Sequence, residues 1–168
     1  MEKPIFENEV IKKILDKTRV LWALGHATSL MSWDLEVNMP REGVIERSLA
    51  SSELEVLKQK LILDPELGKL VEKAEGLIDE LNDYERGVVR VVKRMIKIAK
   101  AIPPKIVHEY ARTVGESRVR WREAREKDNY NIFKPYLAKI IKLNREIAEY
   151  LERLLVPIII RSVNKAGK

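Results

Sequence analysis

The two histidines, His26 and His108, are the residues that could carry metal chemistry in this chain. His108 and Glu109 resemble the start of a His-Glu-x-x-His site, in which two imidazoles one helical turn apart bind zinc and the Glu activates water. The position of the second imidazole is occupied by Arg112. A guanidinium is permanently charged and has no acceptor atom, so it cannot replace that ligand. We therefore predict no metal site and interpret His108 as a helix-surface residue beside Glu109.

Other catalytic patterns are also missing from the sequence. A Glu-x-x-His di-iron pair would need a Glu three residues before each histidine, where Ala23 and Lys105 stand. The glycines are too widely separated for a phosphate-binding loop, and no serine lies in a glycine-flanked elbow. There is no cysteine, which excludes disulfides and thiolate metal sites. These patterns predict no cofactor in this chain. They leave open a serine nucleophile outside such an elbow and a pair of carboxylates brought together by the fold.

One strongly basic stripe follows a helical spacing: Arg90, Lys93, Arg94, Lys97 and Lys100. Such a stripe could contact phosphate, and the formal net charge of +6 is compatible with an acidic partner. The stripe lacks the interleaved aromatic side chains that stack on bases, however. We interpret it as a solvated face paired with acidic neighbours on adjacent helices, and do not favour nucleic-acid binding.

Apolar residues recur at spacings of three and four throughout the chain, and no segment alternates with the period of a strand. This pattern predicts an all-α protein, an array of about six helices without a sheet. The predicted helix starts are Asn8, Asp64 with Pro65, Asn82, the pair Pro103 and Pro104, and Asn131. A turn is predicted from Ser32 to Glu42, and Gly76 is predicted to end a helix in a left-handed conformation.

The same periodicity predicts which side chains face inward. The apolar stripes of the successive helices are Ile11, Ile14, Leu15, Leu21, Trp22 and Leu30; Ile45, Leu49, Val56 and Leu57; Val88, Val91, Val92, Met95 and Ile98; Val107, Tyr110, Ala111, Val114 and Trp121; and Phe133, Leu137, Ile140, Ile141, Ala148 and Leu151. These positions are predicted to contribute to the core.

The chain is predicted to form one helical domain, residues 1–155, followed by a divergent tail, residues 156–168. Pro157 is expected to break the last helix, and the terminus is expected to be frayed. The longest uncharged run, residues 20–33, is too short for a membrane span. With 35% charged residues and a single glutamine, the composition favours a hyperthermophilic source, and the cytoplasm is the expected location.

The most informative segment runs from Leu24 to Arg47 and contains Trp33, Asp34, Met39, Pro40, Gly43 and Arg47. This combination resembles the amino-terminal signature of the carboxypeptidase Taq family, and particularly of its archaeal thermophilic members. The segment from Asn82 to Val91 and the Pro103-Pro104 helix start are similar to the same family. The resemblance extends from about Phe6 to Leu151.

The resemblance implies a metallocarboxypeptidase that removes single residues from the carboxyl ends of peptides. In the family, a zinc or cobalt ion is held by a His-Glu-x-x-His helix and a downstream Glu, and this sequence contains no such motif. No catalytic residue can be transferred to this chain. We therefore expect a truncated relative that lacks the metal-binding part and is inactive alone.

Two interpretations of the signature residues remain open. The family's amino-terminal helices resemble a cover beside a substrate groove, so Trp33, Asp34 and Arg47 could shape that wall. The alternative, which we favour, is structural: Trp33 packs, Asp34 caps and Arg47 pairs with Asp34.

The expected partners follow from the same resemblance. Apolar faces that would pack against a catalytic part could pair two copies, so a homodimer is expected, and a full-length relative is a second potential partner. The alternative function is a helical oligomerisation or protein-interaction module.

Overall fold

The fold consists of helices throughout the part of the chain that can be described. The computed structural model describes the backbone of residues 5–166 and the side chains of residues 5–40 and 42–153. Its six helices are α1 Glu9–Val37, α2 Val44–Ile62, α3 Pro65–Gly76, α4 Asp83–Ala101, α5 Pro104–Glu126 and α6 Lys134–Ala166. Short 3₁₀ turns, Arg41–Gly43 and Tyr130–Ile132, precede α2 and α6. No strand occurs among the described residues, so the predicted all-α fold with six helices is confirmed.

Three predicted helix starts are confirmed by their hydrogen bonds. Asn8 Oδ1 accepts from the backbone N–H of Val10 at 2.9 Å, and Asp64 side-chain oxygen accepts from that of Glu66 at 2.9 Å. Asn82 Oδ1 accepts from the backbone N–H of Glu85 at 3.0 Å. Each bond satisfies an amide that the first turn of a helix leaves without a partner, which is worth about 1 kcal/mol.

Several predicted helix ends are wrong in detail. Helix α1 continues to Val37, so Trp33 and Asp34 lie inside it and the connection to α2 is shorter than predicted. Gly76 does end α3, but no described glycine has a positive φ; the end is closed by a bond from Leu77 N–H to Ala74 O at 3.1 Å. Ala74 O thus accepts from Leu77 N–H without Gly76 adopting a left-handed conformation.

The start of α6 also differs from the prediction. Asn131 is not a cap, because its backbone N–H donates to Asn129 Oδ1 at 3.1 Å and α6 begins at Lys134. Asn129 instead caps the 3₁₀ turn that precedes α6, and its backbone conformation is the extended one that a cap requires. Pro157 does not end α6, whose backbone remains helical to Ala166. Its missing amide removes one bond of the helix and leaves the other bonds in place.

The chain divides into two compact units. The first unit contains Met1–Ala27 and Leu57–Lys100, and the second contains Thr28–Val56 and Ala101–Lys168. The core of the first unit is aliphatic and comes from α1, α3 and α4, with a contribution from the connection between α3 and α4. Its buried residues are Val10, Ile11, Ile14, Leu67, Val71, Ala74, Leu81, Val89, Val92 and Ile96. Full burial of one large aliphatic side chain contributes about 1.5–3 kcal/mol.

A buried carboxylate joins two helix starts in the first unit. The side chain of Glu85 is only 3% exposed. Its Oε1 accepts from the backbone N–H groups of Glu7 and Asn8 at 2.9 and 2.8 Å, and its Oε2 accepts from that of Asn82 at 3.1 Å. Because Asn82 in turn caps Glu85, the two residues form a reciprocal capping box at the start of α4.

Burial of Glu85 would by itself raise the pKa of its carboxyl group. The backbone N–H groups of Asn8, Asn82 and Glu7 favour the ionised form more strongly, so the pKa lies below its ordinary value of 4.5.

In the second unit, Leu35 of α1, Val44 of α2, Ile106 and Ala124 of α5 and Leu143 of α6 are buried. The inward prediction is confirmed for Ile11, Ile14, Leu21 and Val92, which are buried. Most of the other predicted stripe residues are half-buried. The prediction is wrong for the exposed side chains Trp22, Leu30, Ile45, Leu49, Leu57, Val91, Trp121, Ile141 and Ala148. Periodicity identifies the face of a helix that can be buried, but not whether another element covers it. No helix in the described part of the chain is long and apolar enough to cross a membrane.

Candidate functional site

The signature residues lie where α1 ends and α2 begins, within the second unit. The backbone N–H groups of Asn38 and Met39 donate to Asp34 O at 3.0 and 2.9 Å, which closes the end of α1. After this end, Gly43 N–H donates to Pro40 O at 3.1 Å within the 3₁₀ turn. The side chain of Met39 lies beside Gly43, where an added Cβ would be 3.5 Å from Met39 Cγ. Met39 and Pro40 therefore build the connection between the helices.

An ion pair joins the two helices across this connection. Arg47 Nη2 lies 2.8 Å from Asp34 Oδ2, and both side chains are partly exposed. Arg47 Nη1 is also 3.5 Å from Met31 O, a long contact that contributes little. The favoured pairing of Arg47 with Asp34 is therefore found in the structure. Trp33 does not pack as the structural interpretation expected, since 58% of it is exposed.

Helix α5 supplies positive charge to the end of α1, whose own last turn has no basic residue. Arg122 donates to Leu35 O at 2.8 Å and to Glu36 O at 3.2 Å, and Arg118 Nη1 pairs with Glu36 Oε1 at 3.2 Å. Cations at the carboxyl end of a helix satisfy its last carbonyl groups and its dipole. Sequence analysis did not identify these arginines, although their spacing of four residues places them on one side of α5.

A cavity of about 450 Å³ lies within this unit, next to the signature residues. Apolar side chains line most of it, including Met31, Leu35, Val107, Val114 and Ile147. Three charged residues, Arg47, Glu55 and Arg118, also line it, and the two arginines are each paired with a carboxylate. The cavity is therefore suited to an uncharged apolar group rather than to an ion.

One wall of the cavity depends on a close approach between α2 and α5. A Cβ atom added to Gly115 would lie 2.5 Å from Ser48 Oγ and 3.1 Å from Ser48 Cβ. Ser48 is 1% exposed, and its hydroxyl has no hydrogen-bond partner among the described residues. Sequence analysis did not single out this contact, because a glycine inside a helix shows no turn signal.

The surroundings of His108 fit neither a metal site nor a nucleophilic one. Ser52 Oγ and Glu53 Oε1 lie 3.1 and 3.3 Å from the same ring atom, Nε2. In a catalytic triad the acid binds the other ring nitrogen. Ser52 also donates its proton to Leu49 O at 2.7 Å, so its hydroxyl accepts from the ring instead of being activated by it.

The remaining residues of the incomplete motif have other partners. Glu109 pairs with Lys139 at 3.1 Å, and Arg112 pairs with Glu116 at 2.8 Å. Among the described residues no group of three or more histidine, aspartate or glutamate side chains is arranged to hold a metal ion. The side chains around His108 therefore do not fit a zinc or cobalt ion, and no reaction step can be derived through one here.

Comparison with known proteins gives a consistent result. A family model described as carboxypeptidase Taq (M32) metallopeptidase matches residues 13–155. The chain is 53% identical over 147 residues to thermostable carboxypeptidase 1 of Pyrococcus furiosus, and this alignment covers 88% of the chain and 29% of that protein. It is 33% identical over 138 residues to thermostable carboxypeptidase 1 of Thermus thermophilus, covering 80% of the chain and 26% of that protein.

A solved structure, the Apo-Mg form of the Pyrococcus furiosus carboxypeptidase, is similar to the fold. It aligns with a TM-score of 0.70 at 53% identity, over 88% of this chain and 30% of that one. The chain thus spans less than a third of the length of these relatives, and corresponds to an amino-terminal portion of them.

Proposed function

Because the chain belongs to the carboxypeptidase Taq (M32) metallopeptidase family, we propose that it is a non-catalytic helical part of such a peptidase, inactive by itself. The observation that carries this proposal is the extent of the match, which covers 88% of the chain but 29% of a thermostable carboxypeptidase. The sequence contains no His-Glu-x-x-His motif. Without a metal to polarise the carbonyl and activate water, the main contributions to hydrolysis are missing.

We further propose that the second unit forms a wall beside a peptide-binding groove when a catalytic part is present. The Asp34–Arg47 ion pair and the connection built by Met39 and Pro40 would hold the end of α1 and the start of α2 in place. The apolar cavity next to them would accept uncharged side chains. Trp33, exposed on α1, would be available to contact a peptide.

The purified chain is expected to release no amino acid from a blocked peptide, with or without added zinc or cobalt. Loss of metal-assisted water activation removes several kcal/mol of transition-state stabilisation, which corresponds to a rate indistinguishable from the blank. Release would be followed by an amine-reactive dye, with the Pyrococcus furiosus relative as positive control. Metal-dependent release that disappears in the His108→Ala variant would contradict the proposal.

A helical interaction module is the second candidate function, and one observation favours it. Leu30, Trp33 and Val37 are exposed and lie at spacings of three and four on one face of α1. A continuous exposed apolar strip is commonly covered by another protein surface. We propose that a second copy covers it in the isolated chain, which would act in the cytoplasm as a dimer, and that a full-length relative could replace that copy.

Light scattering coupled to size exclusion tests this second candidate. The isolated chain is expected to elute with twice its mass of 19.5 kDa, because pairing removes the strip from water. The Trp33→Ser, Val37→Ser double variant should shift the mass towards the monomer. Val20→Ser, at an equally exposed position of the first unit, is the matched control and should not. A monomeric parent chain at all concentrations would rule out the dimer.

A further inference from the structure

The basic stripe on α4 is largely without counter-charges. Lys93 pairs with Glu75 on α3. Arg90, Arg94, Lys97 and Lys100 have no carboxylate within ion-pair distance among the described residues. The chain contributes no acid of its own between Glu85 and Glu109. The predicted pairing of the stripe with acidic neighbours is therefore wrong for four of its five members, which leaves a row of uncompensated positive charge along roughly 15 Å of helix.

An apolar groove of about 460 Å³ lies in the same unit, between α1, the last turns of α2 and α4. Its walls are mainly aliphatic and include Leu15, Leu21, Ile62, Val88, Val91 and Met95. Two of its lining residues are strongly exposed, Trp22 at 73% and Val91 at 53%. Apolar side chains of this size grouped around a groove typically mark a site that another surface covers.

The groove and the row of cations share a border on α4. Residues three and four apart are neighbours on a helix surface, so Arg90 adjoins Gly87, and Arg94 adjoins Val91. Both Gly87 and Val91 line the groove. A ligand in the groove therefore lies next to Arg90 and Arg94 without reaching across the buried face of α4.

We propose that this surface of α1, α2 and α4 docks an amphipathic helix of another polypeptide, with an apolar stripe in the groove and an acidic flank on Arg90 and Arg94. The choice of occupant rests on charge complementarity together with the apolar walls, since a helix with one apolar and one acidic side satisfies both. A nucleic acid would use the cations but not the aliphatic walls, which offer no hydrogen bonds to base edges. This docking surface is separate from the exposed strip of Leu30, Trp33 and Val37, which belongs to the second unit.

The test uses three fluorescein-labelled peptides of roughly 18 residues, a length that spans such a groove as a helix. The probe has leucines at spacings of three and four and glutamates on one flank. One control peptide replaces every glutamate by lysine, and the other replaces every leucine by serine. Anisotropy titration of the full chain is expected to show binding of the probe that weakens with added salt. Both control peptides should bind at least about tenfold more weakly than the probe.

Matched variants locate the site. Arg90→Glu with Arg94→Glu should weaken binding of the probe about tenfold. Lys13→Glu with Lys69→Glu makes the same change in net charge at exposed positions of the same unit and should leave the affinity unchanged. Val91→Ser tests the groove independently and should also weaken binding. Equal losses of probe affinity in the two double variants would overturn the proposal. So would binding of a single-stranded thymidylate oligomer through Arg90 and Arg94 when the probe does not bind.

Discussion

Replacing Glu85 with Gln is expected to lower the free energy of unfolding by about 2–4 kcal/mol, a large part of the stability of a domain of this size. The carboxylate is buried and accepts three backbone N–H groups from two helix starts. An amide of the same shape keeps one acceptor oxygen, but presents an NH₂ group to N–H groups that need an acceptor. The cost is therefore that of leaving buried donors without partners, not that of a lost surface charge.

The measurement is urea unfolding at neutral pH, and Asp83→Ala is the matched control. Asp83 is also an acid in the first turn of α4, but it is almost fully exposed and its ion pair with Arg86 is long, at 3.7 Å. The loss of Asp83 should therefore cost less than about 0.5 kcal/mol. If the urea midpoint of Glu85→Gln equalled that of the parent chain, the three hydrogen bonds would make no net contribution to stability.

The same residue determines part of the acid stability. The folded-state pKa of Glu85 is lowered, so its contribution is fully present above the ordinary value of 4.5 and is lost as the pH falls through the lowered folded-state pKa. The parent chain should lose stability in this acid range more steeply than Glu85→Gln, which cannot titrate at this position.

Gly115→Ala is expected to destabilise the chain by about 1–3 kcal/mol, although alanine is the better helix former. The added Cβ would lie 2.5 Å from Ser48 Oγ and 3.1 Å from Ser48 Cβ, so the Ser48 hydroxyl must rotate within its buried site and α2 and α5 must move slightly apart. Gly68→Ala in α3 is the control, because an added Cβ there meets no atom within 4 Å. This control should raise the stability by up to about 1 kcal/mol, the ordinary helix-propensity gain.

A second substitution separates this clash from a general loss of packing. Ser48→Ala removes a buried hydroxyl that has no partner among the described residues, and is expected to stabilise the chain by about 1 kcal/mol. In its presence the cost of Gly115→Ala should fall, because the 2.5 Å contact disappears and the 3.1 Å contact with Cβ becomes the shortest. Strictly additive thermal unfolding data for the two changes would argue against a direct contact.

Sequence analysis was most successful where the determining interaction is local. Asn8, Asp64 and Asn82 each cap a helix through an amide two or three residues ahead, so the residue type and position suffice to predict them. The end of α1 was predicted less well, because it depends on Arg122 of α5, which is distant in the sequence. The family signature was recognised from residue identities, whereas the roles of Met39 and Pro40 in the connection required the structure.

Burial was the least predictable property. Trp22 and Val91 follow the apolar periodicity of their helices yet remain exposed, because periodicity contains no information about what lies opposite a face. Glu85 shows the opposite case: carboxylates are seldom buried, and only the positions of Glu7 and Asn8 explain why this one is. Burial in both cases depends on interactions between segments that are far apart in the sequence.

The asparagine caps affect how the chain ages at high temperature, where slow hydrolysis of asparagine to aspartate accumulates. At Asn129 the side chain acts through its oxygen, which accepts from the backbone N–H of Asn131. Hydrolysis to aspartate would retain that acceptor at the start of the 3₁₀ turn that precedes α6. Asn82 is more vulnerable, since its amide nitrogen also donates to Ile5 O at 3.1 Å. Hydrolysis at Asn82 would remove its bond to Ile5 O, although Glu85 would still hold the segment before α1 through Glu7 and Asn8. Hydrolysis at Asn129 would leave the 3₁₀ turn before α6 capped.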